Sequence, residues 1–210
     1  MKLSKINNRQ IVNGKYLINS QIEFFEKGVF AFCTDLEELK ITDNITELPD
    51  EALLYCVNLK KLDLNNVTRI GDYALSGCLN LTEINGIERV TDFGMYALSG
   101  CASLPKICFS DEVRIIREGL LESCVGLREA KFSYVEKIES LAFAGCTNLE
   151  KLILSECIEE IIGDAFLGVD DLELVYLDQR INNFDDVVAI VKNNNSLDVI
   201  YEDVKVKIKV

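Results

Sequence analysis

The stretch Ile70-Gly71-Asp72-Tyr73-Ala74-Leu75-Ser76-Gly77-Cys78-Leu79-Asn80-Leu81 returns with substitutions along the chain, most plainly as Ile138-Glu139-Ser140-Leu141-Ala142-Phe143-Ala144-Gly145-Cys146-Thr147-Asn148-Leu149. Its cysteine serves as a ruler. Cys33, Cys56, Cys78, Cys101, Cys124 and Cys146 are spaced 23, 22, 23, 23 and 22 apart, and Val169 stands 23 beyond the last. A fixed period of this size marks a solenoid, whose units cannot bury their apolar faces alone and so stack on one another.

Three residues after each marker stands a leucine: Leu36, Leu59, Leu81, Leu104, Leu127, Leu149 and Leu172. Apolar residues six and eight after it alternate with polar ones, as in Lys61-Leu62-Asp63-Leu64-Asn65, so this stretch reads as a short strand with one face buried. A second apolar pair follows, such as Val67 and Ile70, and turns the chain around the far side. The Ala-Leu or Ala-Phe pair, the cysteine and the next leucine then fall at helical spacing, which predicts one or two turns of helix on the convex side. The column cysteines are read as small buried apolar residues.

With these columns aligned, the unit resembles the leucine-rich repeats of the BspA-like, or Treponema-type, class, whose core is Ile-Gly-x-x-Ala-Phe-x-x-Cys-x-x-Leu in about 23 residues. The resemblance implies an α/β solenoid. That fold is a right-handed leucine-rich-repeat superhelix with a parallel sheet on the concave face and short helices on the convex one. It covers seven repeats of 22–23 residues over 30–178, and lacks the Asn ladder and the proline often found after the strand. The class is commonly found in surface or secreted proteins engaged in adhesion. It carries no catalytic residues to transfer.

The ends read as caps, which a solenoid needs to blunt its open strands. Residues 1–29 form an N-terminal cap, in which Asn13-Gly14 between Gln10-Ile11-Val12 and Lys15-Tyr16-Leu17 signals a hairpin, and Phe24 and Phe25 cover the first coil. Residues 179–210 form a C-terminal cap: a helix starting at Asn183, a strand at Leu197–Tyr201, and the strictly alternating Val204–Val210. The lysines of that last run protect an edge or attract an acidic partner, such as a second copy.

Charge and composition narrow the function. The net charge is −13, but residues 1–22 hold four bases and no acid and 204–210 hold three lysines, leaving 35 acids against 15 bases between, or −20. Such a body repels phosphate backbones, so nucleic acid and anionic membrane are poor partners for the repeat face, no nucleic-acid partner is expected, and a basic partner is favoured. No apolar run is long enough for membrane insertion or for a signal peptide. The expected place is therefore the cytoplasm, or the cell surface or exterior where a leader has been removed. Histidine is absent, no Cys-x-x-Cys occurs and no phosphate-binding loop is present. The expectation is of no enzyme, no cofactor and no metal.

What remains is recognition. The outward strand positions, five, seven and nine after each marker, change from coil to coil and include Ile87. The residues chosen as candidates for binding a protein or peptide are Lys40, Asp63, Asn85, Lys131, Ile153, Leu174 and Tyr176. The apolar end of this row, at Ile153, Leu174 and Tyr176, is either an interface core or the seat of the C-terminal cap. Cys108 and Cys157 lie off the column and are candidate reactive thiols or partly buried spectators. A monomer or weak homo-oligomer is expected, with self-association through the terminal strand as the alternative function.

Overall fold

The computed structural model describes residues 1–153, 157, 159–162 and 164–169, and the backbone of strands Glu173–Val175, Asp198–Ile200 and Lys205–Val206. It is a parallel-strand solenoid of about seven turns. The apolar alternation seen in the sequence sets its first face. Glu38–Lys40, Lys61–Asp63, Glu83–Asn85, Lys106–Cys108, Glu129–Lys131, Lys151–Ile153 and Glu173–Val175 are three-residue strands, one per coil. Leu39, Leu62, Ile107, Ala130 and Leu152, at their centres, are buried. A second face is built from two-residue strands such as Glu47–Leu48, Arg69–Ile70 and Asp92–Phe93, again paired in parallel.

The convex helices are not found among the described residues; that side is made of turns. In six coils two residues four apart adopt the left-handed conformation, with φ of 57° and 54° at Glu51 and Tyr55, 55° and 73° at Tyr73 and Gly77, and 55° and 71° at Tyr96 and Gly100. An α-helix cannot pass through such residues. Alternate amides bond locally and outward: Ala52 N–H donates to Pro49 O, whereas Leu53 N–H donates to Ala74 O of the next coil at 2.7 Å. Helical spacing of the apolar residues is thus met by consecutive turns. The coils are hydrogen-bonded here as well as along the strands.

The cysteine column lies in this turn layer, and all six members are buried. Each thiol donates to a carbonyl of the preceding coil, as in Cys56 Sγ to Phe30 O at 3.1 Å, Cys124 Sγ to Leu98 O at 3.2 Å and Cys146 Sγ to Leu121 O at 3.0 Å. Sulfur therefore does more than fill space, although Val169 is also fully buried in the same place without it.

Both sheets break between the same two coils. Glu83–Asn85 does not pair with Lys106–Cys108, nor Asp92–Phe93 with Ile115–Ile116. Sequence explains the break. Lys60, Thr82, Arg128 and Glu150 each donate a backbone N–H to the coil before, at 2.7 to 3.0 Å, but the equivalent residue here is Pro105, which has no N–H. On the other side, Gly86 takes φ of 88° and Ile87–Arg89 forms a 3-10 turn. Ile87, expected on the outward face, is instead buried, because the left-handed Gly86 rotates the chain by one place. Phe93 and Phe109 meet edge to face across the break, 5.0 Å between centroids, while the turn ladder continues through Leu75 N–H to Ala97 O and Leu98 N–H to Leu120 O.

At the N-terminal end, Val12 and Lys15 exchange backbone bonds of 2.9 and 3.0 Å around Asn13-Gly14, whose φ values of 51° and 74° suit a two-residue hairpin turn. Lys15 then bridges in parallel to Glu38 on the strand face. Phe25 is buried and packs edge to face on Phe30, whereas Phe24 is half-exposed. At the other end, Asp198–Ile200 pairs in parallel with Glu173–Val175, and Lys205–Val206 runs antiparallel on its outer side. The helix expected from Asn183 lies outside the described residues.

Candidate functional site

The strand face carries two outward columns with different chemistry. The first, five after each marker in six of the coils, is Glu38, Lys61, Glu83, Lys106, Glu129 and Lys151, with Glu173 in register beside Lys151. Its charges alternate without exception. Lys15 extends it by one, paired with Glu38, and Lys61 Nζ lies 3.2 Å from Glu83 Oε2. The Lys15 ammonium holds the Glu38 carboxyl below its ordinary range, and the Asn85 amide followed by Lys61 does so for Glu83. Opposite charges at neighbouring positions stabilise strand pairing modestly and neutralise the column. The pattern is present in the sequence at a fixed offset of five from each cysteine, where the sign of charge alternates from coil to coil.

The second column varies: Lys40, Asp63, Asn85, Cys108, Lys131 and Ile153. Five of the seven candidate residues fall in it. Lys40, Asn85 and Lys131 are exposed, and Asp63 and Ile153 half-buried. Leu174 does not belong to it. The register sets Leu174 beside the core residue Leu152, and Val175 beside Ile153. Only five residues separate Val169 from Leu174, against six between Cys146 and Leu152, and a shift of one exchanges the faces of a strand. The run Leu174-Val175-Tyr176-Leu177 does not alternate, so it could not reveal the shift. Tyr176 lies outside the described residues.

Lys40, Asp63 and Asn85 share a groove of about 700 Å³. Its floor is the strand face of the first three coils, and its wall is the segment Lys15–Ser20 of the N-terminal cap. Lys40 Nζ lies 3.5 Å from Asp63 Oδ2. Thr42 lines the same groove, and its Oγ1 is buried with no partner among the described residues. Parallel pairing of Leu39 with Leu62 turns the backbone groups of Lys40 the other way, toward the hairpin side. Leu17, in the wall, is 90% exposed. Charged heads of both signs, amides and an apolar wall can recognise an extended peptide. They do not assemble a nucleophile with a base.

Lys131 and Ile153 lie further along, beyond the sheet break, so the groove does not gather them. Cys108 is exposed on the strand beside Lys131, and Cys157 is half-buried. Burial pushes the Cys33 thiol up to about 11 and those of Cys78 and Cys146 up to about 12. Such thiols remain protonated and are poor nucleophiles. Among the described residues no group of three or more Cys, Asp or Glu is placed to hold a metal ion, and no helix is long and apolar enough to cross a membrane.

Comparison with known proteins agrees with this architecture. The BspA type leucine rich repeat region matches in six copies, over residues 13–128 and 68–196. A leucine-rich repeat protein of T. pallidum superposes with a TM-score of 0.66 at 18% identity, over 85% of this chain and 83% of that one. One from Bacteroides ovatus superposes with a TM-score of 0.65 at 22% identity, over 73% of this chain and 43% of that one. The chain thus spans less than half of the B. ovatus protein. At these identities the likeness shows the fold alone. No curated protein matches the chain.

Proposed function

The chain belongs to the BspA-type leucine-rich repeat family, whose repeats generally mediate protein–protein interaction, and from that premise we propose that it is a non-enzymatic module that binds an extended protein or peptide segment on its strand face. The observation that carries this reading is the groove between the Lys15–Ser20 wall and Lys40, Asp63 and Asn85. The segment lies along the wall, with a hydrogen-bonding group at Thr42 Oγ1 and a side chain between Lys40 and Asp63. Balanced charge in the groove favours a neutral or basic segment carrying its own polar side chains. An adhesive role at a cell surface would use this same face.

The test is selection of peptides from a random library on the intact protein, followed by titration against a variant with Lys40→Ala, Asp63→Ala and Asn85→Ala together. Selected peptides should bind the variant at least tenfold more weakly. Equal affinity for both proteins would place recognition elsewhere. A second reading, self-association through the terminal strand, has its support in Lys205–Val206, which forms the outermost strand of its sheet. It requires that sedimentation shift with protein concentration and that deletion of residues 204–210 abolish the shift.

A further inference from the structure

The turn side of the solenoid, opposite in kind to the strand face, carries aromatic residues where the backbone is least hospitable to them. Left-handed positions favour glycine, and Gly28, Gly100, Gly119, Gly145 and Gly168 take that role in several coils. Yet Phe32, Tyr55, Tyr73 and Tyr96 occupy equivalent places, with φ between 54° and 64°. A bulky side chain in that conformation is strained. Burial does not compensate for it. Phe32 is 56% exposed, Tyr55 49% and Tyr73 42%.

Their arrangement is ordered. Phe32 stacks on Tyr55 with centroids 5.6 Å apart, and Tyr73 on Tyr96 at 5.1 Å and 4°. Each pair ends on a glycine: a Cβ at Gly77 would stand 2.4 Å from the Tyr55 ring, and one at Gly119 2.2 Å from the Tyr96 ring. Met95 and Leu79 add exposed apolar surface on the same side. Around them the charge is one-sided. Turn segments 26–32, 49–55, 71–77, 94–100, 117–123 and 139–145 hold seven acids against two bases. Lys27 is already paired with Glu51 at 3.0 Å. Tyr96 donates its hydroxyl to Glu118 at 2.8 Å, and that bond, followed by burial, pushes the phenol up to about 12.

We propose that this aromatic, acid-flanked turn face is a second interaction surface, which docks an arginine- or lysine-rich protein segment carrying apolar side chains between its bases. Charge complementarity selects the partner: the acids attract the bases, and the ring edges and Met95 receive the apolar side chains. Solvent-exposed aromatics in strained backbone are explained when a partner covers them. The surface is separate from the groove, and its failure leaves the strand-face reading untouched.

The experiment uses the intact protein and two fluorescein-labelled decapeptides, one alternating arginine with leucine and one alternating glutamate with leucine. The arginine peptide should bind with an affinity that falls as salt rises, and the glutamate peptide should not bind. In the variant Tyr55→Gly with Tyr73→Gly, glycine relieves the backbone, so the melting temperature should hold or rise while arginine-peptide affinity falls at least tenfold. A fall in that affinity in Lys40→Ala with Asp63→Ala, while the double-glycine variant binds like the wild type, would assign the peptide to the groove and overturn the proposal. The proposal is overturned if the arginine peptide does not bind, if the glutamate peptide binds as well, or if the double-glycine variant binds like the wild type. A marked fall in its melting temperature would also overturn it, by showing that the rings serve the fold.

Discussion

Six thiols buried in one column make the fold sensitive to alkali. In the unfolded chain a cysteine ionises near pH ~8.5. Folded, burial holds Cys33 up to about 11, Cys78 and Cys146 up to about 12, and Cys56, Cys101 and Cys124 raised as well. Above the unfolded pKa the native state therefore binds more protons than the unfolded one, and stability falls as pH rises, until the folded thiols themselves begin to ionise. At pH 9.5 each contributes a loss of roughly 1 to 2 kcal/mol, and six together about 8 kcal/mol, comparable with the whole stability of a domain at about 5–15 kcal/mol. Urea unfolding followed by circular dichroism at pH 7, 8.5, 9 and 9.5 should show stability falling toward a slope of about 8 kcal/mol per pH unit. The triple variant Cys78→Val, Cys101→Val, Cys124→Val places in three coils the residue that coil seven already uses, and should halve that slope to about 4 kcal/mol per unit. Tyrosine and lysine titrations are common to both proteins and cancel. An unchanged slope in the variant, with equal dependence on urea, would refute the argument.

Four further outcomes follow from particular contacts. Gly28→Ala, where a Cβ meets only Ala31 at 3.6 Å, should cost the left-handed penalty alone, about 1–2 kcal/mol. Gly77→Ala should cost about 1 kcal/mol more by displacing the Tyr55 ring, and the excess should vanish in a Tyr55→Gly background; a double-mutant cycle by urea unfolding that returns no coupling contradicts the geometry. Hydrogen exchange should be faster at the Lys106 and Cys108 amides, which face the sheet break, than at Lys61 and Asp63; equal protection would mean the break is closed in solution. A neutral thiol reagent at pH 7.5 should modify exposed Cys108 within minutes and the six column cysteines only in denaturant, and native-state labelling of the column at a similar rate would contradict its burial.

Much of this was legible in advance because a solenoid repeats its constraints. The Leu36-to-Leu149 column and the alternation in Lys61-Leu62-Asp63-Leu64 specify burial, and the buried leucines lie where the period sets them. Spacing alone does not separate these turns from a helix: apolar residues three apart suit both, and the difference lies in φ at Glu51, Tyr55 and Tyr73, which non-glycine residues do not advertise. The candidate residues Lys40, Asp63, Asn85, Lys131 and Ile153 could be counted off from the cysteines. Leu174 could not, since one residue fewer in its coil moved it into register with the core.

The sequence by itself determined the coil, its period and its buried column, because every unit must bury the same face against its neighbours. Tertiary structure decided what happens between coils. Pro105 removes one amide from a ladder, and only the stacked fold shows that both sheets part there. Lys15–Ser20 becomes the wall of a groove only by lying against Lys40 and Asp63, and Tyr55 finds its place only because the next coil offers Gly77. Period is a property of one unit compared with itself. Grooves, breaks and aromatic stacks are properties of neighbours, set by distances that no single repeat contains.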